Sequence, residues 1–176
     1  MNVSVDSIKQ LREITSCSIA ECRKALEESR GNLSAAQEIL KKRGVELAAK
    51  KSSRSAREGR IEAYVHMGNR IGVLLEINCE TDFVARNEDF CRFTRDVALH
   101  ITALSPKYIK REDVPGDILS QQKDPESFAK DQCLLYQAFV KDPKVTIQDY
   151  LNSLISKTGE NIIISRFVRF KLGDAE

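Results

Sequence analysis

An alternation of apolar and polar residues between positions 61 and 77 constrains the fold of this chain more than any other feature. Apolar side chains fill every second position of two runs, which are Ile61, Ala63, Val65 and Met67 in the first and Ile71, Val73, Leu75 and Ile77 in the second. A period of two residues is typical of β-strands. Between the runs, Gly68-Asn69 is a pair that favours a two-residue hairpin turn. The sequence therefore predicts an antiparallel β-hairpin.

The first 44 residues instead predict three short helices. Each starts at a candidate capping side chain, which is Ser4 or Asp6 for the first, Ser18 with Glu21 for the second, and Ser34 with Gln37 for the third. Gly31 is expected to end the second helix and Gly44 the third, because glycine readily adopts the left-handed conformation that closes helices. Three helices of this length make only a small core.

Helical and strand patterns alternate after the hairpin. The predicted elements are a helix capped by Asn87 with Phe90, Phe93, Val97, Ile101 and Leu104 on its apolar face, a helix from Asp124-Pro125 carrying Phe128, Leu135 and Phe139, a helix from Thr146 to Gly159, and a strand over 162–171. We expect Val168 and Phe170 of that strand to face the core. The predicted fold class is α+β, with a three-stranded antiparallel sheet covered by helices.

Residues 45–59 separate the helical start from the hairpin and are strongly basic. From Lys41 to Arg60 the chain has eight basic residues and two acidic ones. Such a charge run favours a solvated linker or an exposed helix, and contact with RNA or an acidic protein is the alternative. The predicted organisation is a three-helix domain over 1–44, a basic linker over 45–59 and an α+β core over 60–176.

Motifs for covalent or metal chemistry are missing from the sequence. Its five cysteines form no Cys-x-x-Cys pair and are interpreted as buried free thiols, and neither His66 nor His100 has a spaced ligand partner. The phosphate-binding motif Gly-x-x-x-x-Gly-Lys-Ser/Thr is also missing, which argues against direct nucleotide binding. We therefore expect neither an enzyme nor a cofactor or metal site.

Membrane and targeting segments are not indicated either. No run approaches the roughly 18 apolar residues of a membrane span. Residues 1–6 have neither a basic end nor an apolar stretch, which argues against a targeting peptide. A cytoplasmic protein is expected.

The segment from Cys79 to Phe90 resembles the signature of elongation factor Ts, the guanine-nucleotide exchange factor of bacterial and organellar translation. It contains Glu80-Thr81-Asp82-Phe83-Val84-Ala85-Arg86-Asn87, directly after the second predicted strand. Further stretches resemble the same family. They are Leu11-Arg12-Glu13 with Thr15, Cys22 to Leu26, Pro106-Lys107-Tyr108 with Glu112 to Pro115, Leu134 to Gln137 with Phe139 and Lys141-Asp142, and Gly159 to Ile162 with Arg166 to Phe170. By residue type alone Phe83 is a core candidate. The resemblance makes it an exposed wedge instead.

This resemblance implies a protein that binds elongation factor Tu, in its GDP-bound and nucleotide-free states, and promotes GDP release. Its working segment would be Thr81, Asp82, Phe83 and Val84. Phe83 would enter an apolar crevice of the partner and dislodge the magnesium ion that bridges the phosphates, while Asp82 would engage the displaced groups. Weaker partner contacts are expected at Leu11, Arg12, Ile19, Ala20, Arg86 and Asn87. Alternatively, Val84 and Ala85 are packing residues, and Arg86 and Asn87 form a helix cap.

Two departures from the family pattern concern the amino-terminal domain, which resembles a ubiquitin-associated (UBA-like) bundle. Ser16-Cys17-Ser18 stands where the family usually has a glycine-containing turn. Ala20 is smaller than the usual apolar residue, which weakens the expected docking of this domain. The chain resembles the short form of the family, without room for a second sheet subdomain and a helical hairpin. Short members are expected to act as homodimers.

Two other functions remain as alternatives. The three-helix domain could recognise a peptide or a ubiquitin-like surface, although this leaves Asp82-Phe83 without a role. The basic segment 41–60 could contact RNA in a translation-associated protein. A net charge of only +2 makes RNA binding the less favoured interpretation.

Overall fold

The computed structural model describes residues 3–15 and 17–174. Three helices come first, α1 (Val5–Thr15), α2 (Ile19–Glu28) and α3 (Leu33–Lys51). A hairpin of β1 (Glu58–Val65) and β2 (Ile71–Cys79) leads to the short α4 (Asp82–Ala85) and the long α5 (Glu88–Leu104). The remaining elements are α6 (Gly116–Ser120), α7 (Pro125–Gln132), β3 (Ala138–Phe139), β4 (Asp142–Thr146), α8 (Ile147–Thr158) and β5 (Ile163–Lys171). This content confirms the α+β class.

Capping side chains start the first two helices as predicted. At α1, the Ser7 backbone N–H donates to the Ser4 hydroxyl over 3.0 Å. At α2, Ser18 and Glu21 form the predicted capping box, each side chain accepting from the backbone N–H of the other residue. Gly31, with φ +84°, follows the end of α2. The three helices share a small buried core of Leu11, Cys17, Cys22, Ala25, Leu26, Ala36 and Leu40.

The third helix differs from the prediction at both ends. Its N-cap is Asn32 rather than Ser34, because the Asn32 side chain accepts from a backbone N–H of the first turn. Gly44 does not end the helix, which continues to Lys51. Gly44 is buried, and a Cβ at this position would lie 3.7 Å from the backbone oxygen of Asn152 in α8. The glycine thus lies where two helices approach closely, a long-range contact that the local sequence does not reveal.

The predicted linker is therefore only partly a connection. Residues 45–51 belong to α3, and β1 begins at Glu58, so 52–57 join the two. This connection is tied down by Asn161, whose side-chain amide donates to the backbone oxygens of Ser52 (3.5 Å) and Arg54 (2.8 Å). The domain bounds 1–44, 45–59 and 60–176 stay a prediction, although α3 and β1 each cross one of them.

Strands β1, β2 and β5 form the predicted three-stranded antiparallel sheet, in the order β1-β2-β5. Gly68 and Asn69 have φ values of +87° and +55°, which a tight hairpin turn requires. The β2–β5 register shifts at an irregularity between Glu76 and Ile77. Strands β3 and β4 form a separate two-stranded sheet.

The two hairpin strands place their apolar residues on opposite faces of the sheet. Leu75 of β2 is buried against the helices and pairs with Glu62 of β1, and directly paired residues share a face. The apolar run of β1, with Ile61 and Val65 each 63% exposed, therefore lies on the outer face.

Strand β5 also exposes apolar residues on this outer face. Val168 is 44% and Phe170 68% exposed, so the prediction that they are buried is wrong. Gly72 of β2 pairs with Phe170, and Leu74 pairs with Val168. The pairing register decides which face a strand buries, and a period of two residues does not contain that information.

The main core lies between the inner face of the sheet and helices α5 and α8. Its members include Phe90, Phe93, Val97 and Ile101 of α5, Leu75 and Ile77 of β2, and Leu154 and Ile155 of α8. These positions confirm the predicted apolar face of α5, except that Leu104 is 45% exposed. Burying each large side chain contributes about 1.5–3 kcal/mol to the stability of the fold. The packing of the sheet against α5 and α8 therefore holds the segments that leave these elements in place.

Helix α7 begins at the predicted Asp124-Pro125 cap but ends earlier than expected, at Gln132. The backbone N–H groups of Leu134 and Leu135 donate to the carbonyls of residues 108 and 109 instead of continuing the helix. Leu135 therefore lies in a 3₁₀ turn, and Phe139 lies in β3. Among the helices in residues 3–15 and 17–174, none has the length and hydropathy of a membrane span.

Candidate functional site

The segment from Glu80 to Asn87 leaves the end of β2 and forms a single helical turn. Thr81 is the N-cap of α4, and its hydroxyl accepts from the Val84 N–H over 3.4 Å. Asn87 is the N-cap of α5, where its side chain accepts from the Asp89 N–H over 2.8 Å. The segment is thus attached at one end to a paired strand and at the other to a buried helix, which gives it a rigid support.

Phe83 projects from α4 with 81% of its surface exposed. Phenylalanine is usually buried, so the core assignment that residue type alone favours is wrong. Because Phe83 buries little surface within the chain, it contributes little to the stability of the fold. Its ring is free to bury its area against another molecule.

The neighbours of Phe83 divide into projecting and packing side chains. Asp82 and Arg86 form an ion pair of 2.9 Å across one turn of helix. Val84 and Ala85 are half-buried against the main core. Val84 and Ala85 thus have packing contacts, Arg86 is the C-cap of α4 and Asn87 is the N-cap of α5. The weaker partner contacts expected of Arg86 and Asn87 stay predictions. The partner-binding roles of Thr81, Asp82, Phe83 and Val84 stay predictions.

Glu160, which follows α8, holds the entry to α4. Its Oε2 atom accepts hydrogen bonds from the backbone N–H groups of Glu80 (3.1 Å) and Thr81 (3.0 Å). Its Oε1 atom accepts from the Thr81 hydroxyl over 2.6 Å. Sequence reasoning missed this residue. Although Gly159 to Ile162 resembles the family, no local pattern indicates a contact between residues 80 positions apart.

Glu80 forms the reciprocal contact. Its Oε1 atom accepts from the Asn161 backbone N–H over 2.6 Å, and Arg54 Nη1 lies 3.6 Å from the same oxygen. We call Glu80, Thr81, Glu160 and Asn161 the carboxylate clasp. The clasp joins the end of β2 to the connection between α8 and β5.

Cys79, beside the clasp, is a protonated thiol. Its Sγ–H donates to the backbone oxygen of Thr81 over 3.1 Å. Burial, together with the nearby Glu160 carboxylate, raises the pKa of Cys79 to about 11. A thiol with so high a pKa is a poor nucleophile at neutral pH. All five cysteines are free, as interpreted from the sequence, although Cys91 is only half-buried.

The arrangement around Phe83 can bind and displace, and it offers little for covalent or metal chemistry. Within residues 3–15 and 17–174, no group of three or more His, Cys, Asp and Glu side chains could hold a metal ion. His100 is fully buried and bonded to Gln137, and His66 contacts Tyr64. Both histidines therefore have structural contacts.

The predicted amino-terminal contact residues lie on the three-helix bundle, away from the segment in sequence. Leu11 is fully buried in the bundle core, so its side chain packs within the domain, and its predicted contact with a partner stays a prediction. Arg12 and Ala20 are exposed, and Ile19 is 59% exposed, so these three are accessible. Ser16 of the unusual turn lies outside the described residues.

Comparison with known proteins covers both the bundle and the α+β core. The family model of elongation factor Ts matches residues 3–127 and 125–174. The chain is 42% identical to elongation factor Ts of Caldanaerobacter subterraneus subsp. tengcongensis, across 98% of each chain. It is 44% identical to that of Carboxydothermus hydrogenoformans, across 98% of this chain and 90% of the relative. For Thermotoga neapolitana the identity is 43%, across 99% of each chain. The chain therefore belongs to the elongation factor Ts family.

Proposed function

We propose that this chain binds elongation factor Tu and accelerates the release of its GDP, so that GTP can bind in its place. Family membership supports a role in translation elongation. The observation that carries the exchange function is Phe83, an aromatic side chain 81% exposed on a one-turn helix with a capped start. A rigid projecting ring is suited to enter a crevice of another protein, because little conformational freedom is lost on binding.

Nucleotide release through such a wedge requires no covalent step. The magnesium ion and the phosphate-binding loop supply most of the charged contacts of a bound guanine nucleotide, so displacing either weakens its binding. Phe83, within the segment from Thr81 to Val84, enters an apolar crevice of elongation factor Tu. The magnesium ion of elongation factor Tu is thereby dislodged. This chain lowers the affinity of elongation factor Tu for the nucleotide. By thermodynamic linkage, the nucleotide lowers the affinity of elongation factor Tu for this chain by the same ratio.

Asp82 is suited to engage the displaced groups. Its ion pair with Arg86 is solvent-accessible, with side-chain exposures of 45% and 79%. An exposed pair of this kind contributes at most about 1 kcal/mol. Asp82 can therefore exchange Arg86 for a donor on the partner at little cost.

For this function the chain needs no cofactor, metal ion, bound nucleotide or covalent catalysis of its own, and it acts in the cytoplasm. RNA binding is not part of it. Five basic residues of the 41–60 run already have partners within the chain, namely Lys41, Arg43, Lys51, Arg54 and Arg60. The peptide-binding alternative gives the exposed Phe83 no role.

Homodimer formation through the outer face of the sheet is a further part of the proposal. That face carries exposed apolar side chains from all three strands, which are Ile61 (63%), Val65 (63%), Leu74 (46%), Val168 (44%) and Phe170 (68%). Two such faces can stack about 10 Å apart, and a two-fold axis presents the same patch on both sides. We assign this face to a second copy of the chain. The short form of the family lacks a second sheet subdomain, and its members are expected to act as homodimers. A net charge of +2 opposes self-association only weakly.

Stopped-flow release of fluorescently labelled GDP from elongation factor Tu tests the exchange function. The wild-type chain should accelerate release. Phe83→Ala should reduce the acceleration by about tenfold or more, because losing a buried aromatic anchor costs about 2 kcal/mol at an interface. The melting temperature should hardly change, because Phe83 is exposed in the free protein.

Leu104→Ala is the matched control. Leu104 is an exposed apolar residue at the other end of α5, whose 17 residues span about 25 Å. This variant should keep GDP release within about twofold of the wild type. Failure of the wild type to accelerate release, or full activity of folded Phe83→Ala, would contradict the proposal.

A further inference from the structure

We propose that Glu160 is a positioning residue for Phe83, and that its carboxylate fixes the helical turn from which the ring projects. This role rests on the proposed exchange function, but its structural part can be tested without elongation factor Tu. Glu160 itself does not need to touch the partner. It acts through the backbone of residues 80 and 81 and through the Thr81 hydroxyl.

Three hydrogen bonds from one short segment converge on this carboxylate. The donors are the Glu80 N–H, the Thr81 N–H and the Thr81 hydroxyl, at 3.1, 3.0 and 2.6 Å. Both N–H groups precede α4, where a helix start leaves backbone donors without internal partners. Hydrogen bonds to an ionised carboxylate are stronger than bonds between neutral groups. Glu160 therefore satisfies and fixes the backbone at the start of the turn.

The Thr81 hydroxyl transmits this restraint into α4. Its single hydrogen is donated to Glu160, which leaves its lone pairs to accept the Val84 N–H. Phe83 lies between these two residues in the chain and has few contacts of its own, with 81% of its surface exposed. The direction of the ring is therefore set by the backbone of the turn. A four-residue helix is unstable in isolation, so it depends on such anchors.

Glu160 is itself held in place rather than extended into solvent. Gly159 before it adopts φ +73° as the C-cap of α8, and its carbonyl accepts from the buried Lys51. Asn161 after it is 3% exposed, and its backbone N–H donates to Glu80. The two carboxylates of the clasp thus each accept from the opposite segment. A support fixed on both sides can orient the segment that it binds.

A tryptophan at position 83 reports on this positioning directly. The chain contains no tryptophan, so Phe83→Trp introduces a single fluorophore at the tip of α4. In this background, Glu160→Ala should increase the amplitude of nanosecond motion seen in the time-resolved anisotropy. In the chain with Phe83 intact, amide hydrogen exchange at Thr81, Val84 and Ala85 should be about tenfold faster in Glu160→Ala.

Rescue by a conservative variant separates positioning from the general loss of a charge. In Glu160→Gln, the side-chain oxygen can still accept from the two backbone N–H groups, and the amide can donate to the Thr81 hydroxyl oxygen. This variant should stay within about threefold of the wild type in GDP release, against a loss of about tenfold for Glu160→Ala. Glu126→Ala, which removes an exposed carboxylate bonded to Arg111, is the control and should change neither motion nor release.

The outcomes distinguish this inference from the exchange function. The wild type could fail to accelerate GDP release from elongation factor Tu while Glu160→Ala still increases motion at position 83. In that case the exchange function fails and the structural role of Glu160 stands. Unchanged anisotropy and amide exchange in a folded Glu160→Ala would overturn the inference, whatever the activity. Should Glu160→Ala fail to fold, Thr81→Val removes the hydroxyl that Glu160 binds. The same loosening is expected there, and its absence would equally overturn the inference.

Discussion

At the scale of single residues, His100 is fully buried and bonded through both ring nitrogens. The Val140 backbone N–H donates to Nδ1 over 3.3 Å, so Nδ1 carries no proton. Nε2 therefore carries the proton and donates to Gln137 Oε1 over 2.9 Å. The Gln137 amide is oriented by its own bond to the Asp131 carbonyl, at 2.7 Å. These contacts accommodate only the neutral imidazole, and burial lowers the pKa of His100 below 6.5.

Stability should therefore fall as the solution is acidified. Because the pKa of His100 is lower in the folded state than in the unfolded state, the folded state binds fewer protons. The stabilisation is complete above the unfolded pKa of about 6.5, and it is lost as the pH falls from there towards the folded pKa. One such group changes the free energy of unfolding by at most about 1.4 kcal/mol per pH unit.

Urea unfolding at pH 7.5 and 5.5 measures this effect. The wild type should be less stable at pH 5.5. His100→Gln should be less stable than the wild type at pH 7.5 and should show a weaker dependence on pH. His66→Gln, at the half-buried histidine beside the hairpin turn, should keep the wild-type dependence. An equal decrease in the wild type and in His100→Gln would assign the pH dependence to other groups.

At the scale of secondary-structure elements, the last turn of α3 combines two adjacent lysines with different environments. Lys51 is 9% exposed, and its ammonium donates to the Gly159 carbonyl at the end of α8. Lys50 is exposed. The carboxyl ends of two helices are thus connected through only one member of the pair, although the sequence presents both as parts of one basic run.

Substituting each lysine by alanine should separate these environments. Lys51→Ala should destabilise the fold by about 1.5–3 kcal/mol, because it removes a charged hydrogen-bond donor and a packed aliphatic stem. Lys50→Ala should change stability by no more than about 0.5 kcal/mol. Urea unfolding with the slope checked for constancy measures both values. Equal, small effects would mean that the Lys51 contact contributes nothing to stability.

Elements whose boundaries depend on neighbouring residues were predictable from the sequence. The capping box of Ser18 and Glu21, the Asn87 cap, the Asp124-Pro125 start and the Gly68-Asn69 turn all lie where their local chemistry indicates. Each depends on contacts within a few residues, and such contacts are encoded in short motifs.

Features that depend on distant contacts were not predictable in this way. Gly44 was expected to end α3, but it lies within the helix opposite Asn152. The buried face of β5 was assigned wrongly because the register with β2 was unknown. In the candidate site, the exposed wedge at Phe83 came from family resemblance, whereas its support from Glu160 appears only in three dimensions.

At the scale of the whole molecule, the outer face of the sheet should determine the oligomeric state. Sedimentation equilibrium near micromolar concentration should give twice the chain mass of 19.9 kDa. The double variant Val168→Asp with Phe170→Asp should sediment as a single chain, because two charged faces cannot stack without leaving carboxylates buried and unpaired. It should keep its fold, since both side chains point outward in the single chain.

Two controls make this result specific. Val5→Asp places a charge at an apolar residue 79% exposed on α1, and it should leave the dimer mass unchanged. Phe170→Ala should cost the single chain far less than the roughly 3–5 kcal/mol expected for a buried phenylalanine. A wild-type mass of only one chain would refute the dimer.

A ribosome makes this chain from its amino terminus, and Phe83 is added long before Glu160. The two halves of the carboxylate clasp are 80 residues apart, so the clasp cannot close until residues 160 and 161 have been made. Domains complete their long-range contacts only when the whole segment is available. A growing or truncated chain therefore carries the aromatic ring on an unfastened turn. Only a chain that includes residues 160 and 161 can hold the ring in a fixed direction, so the binding to elongation factor Tu that we propose is expected to follow synthesis of that segment.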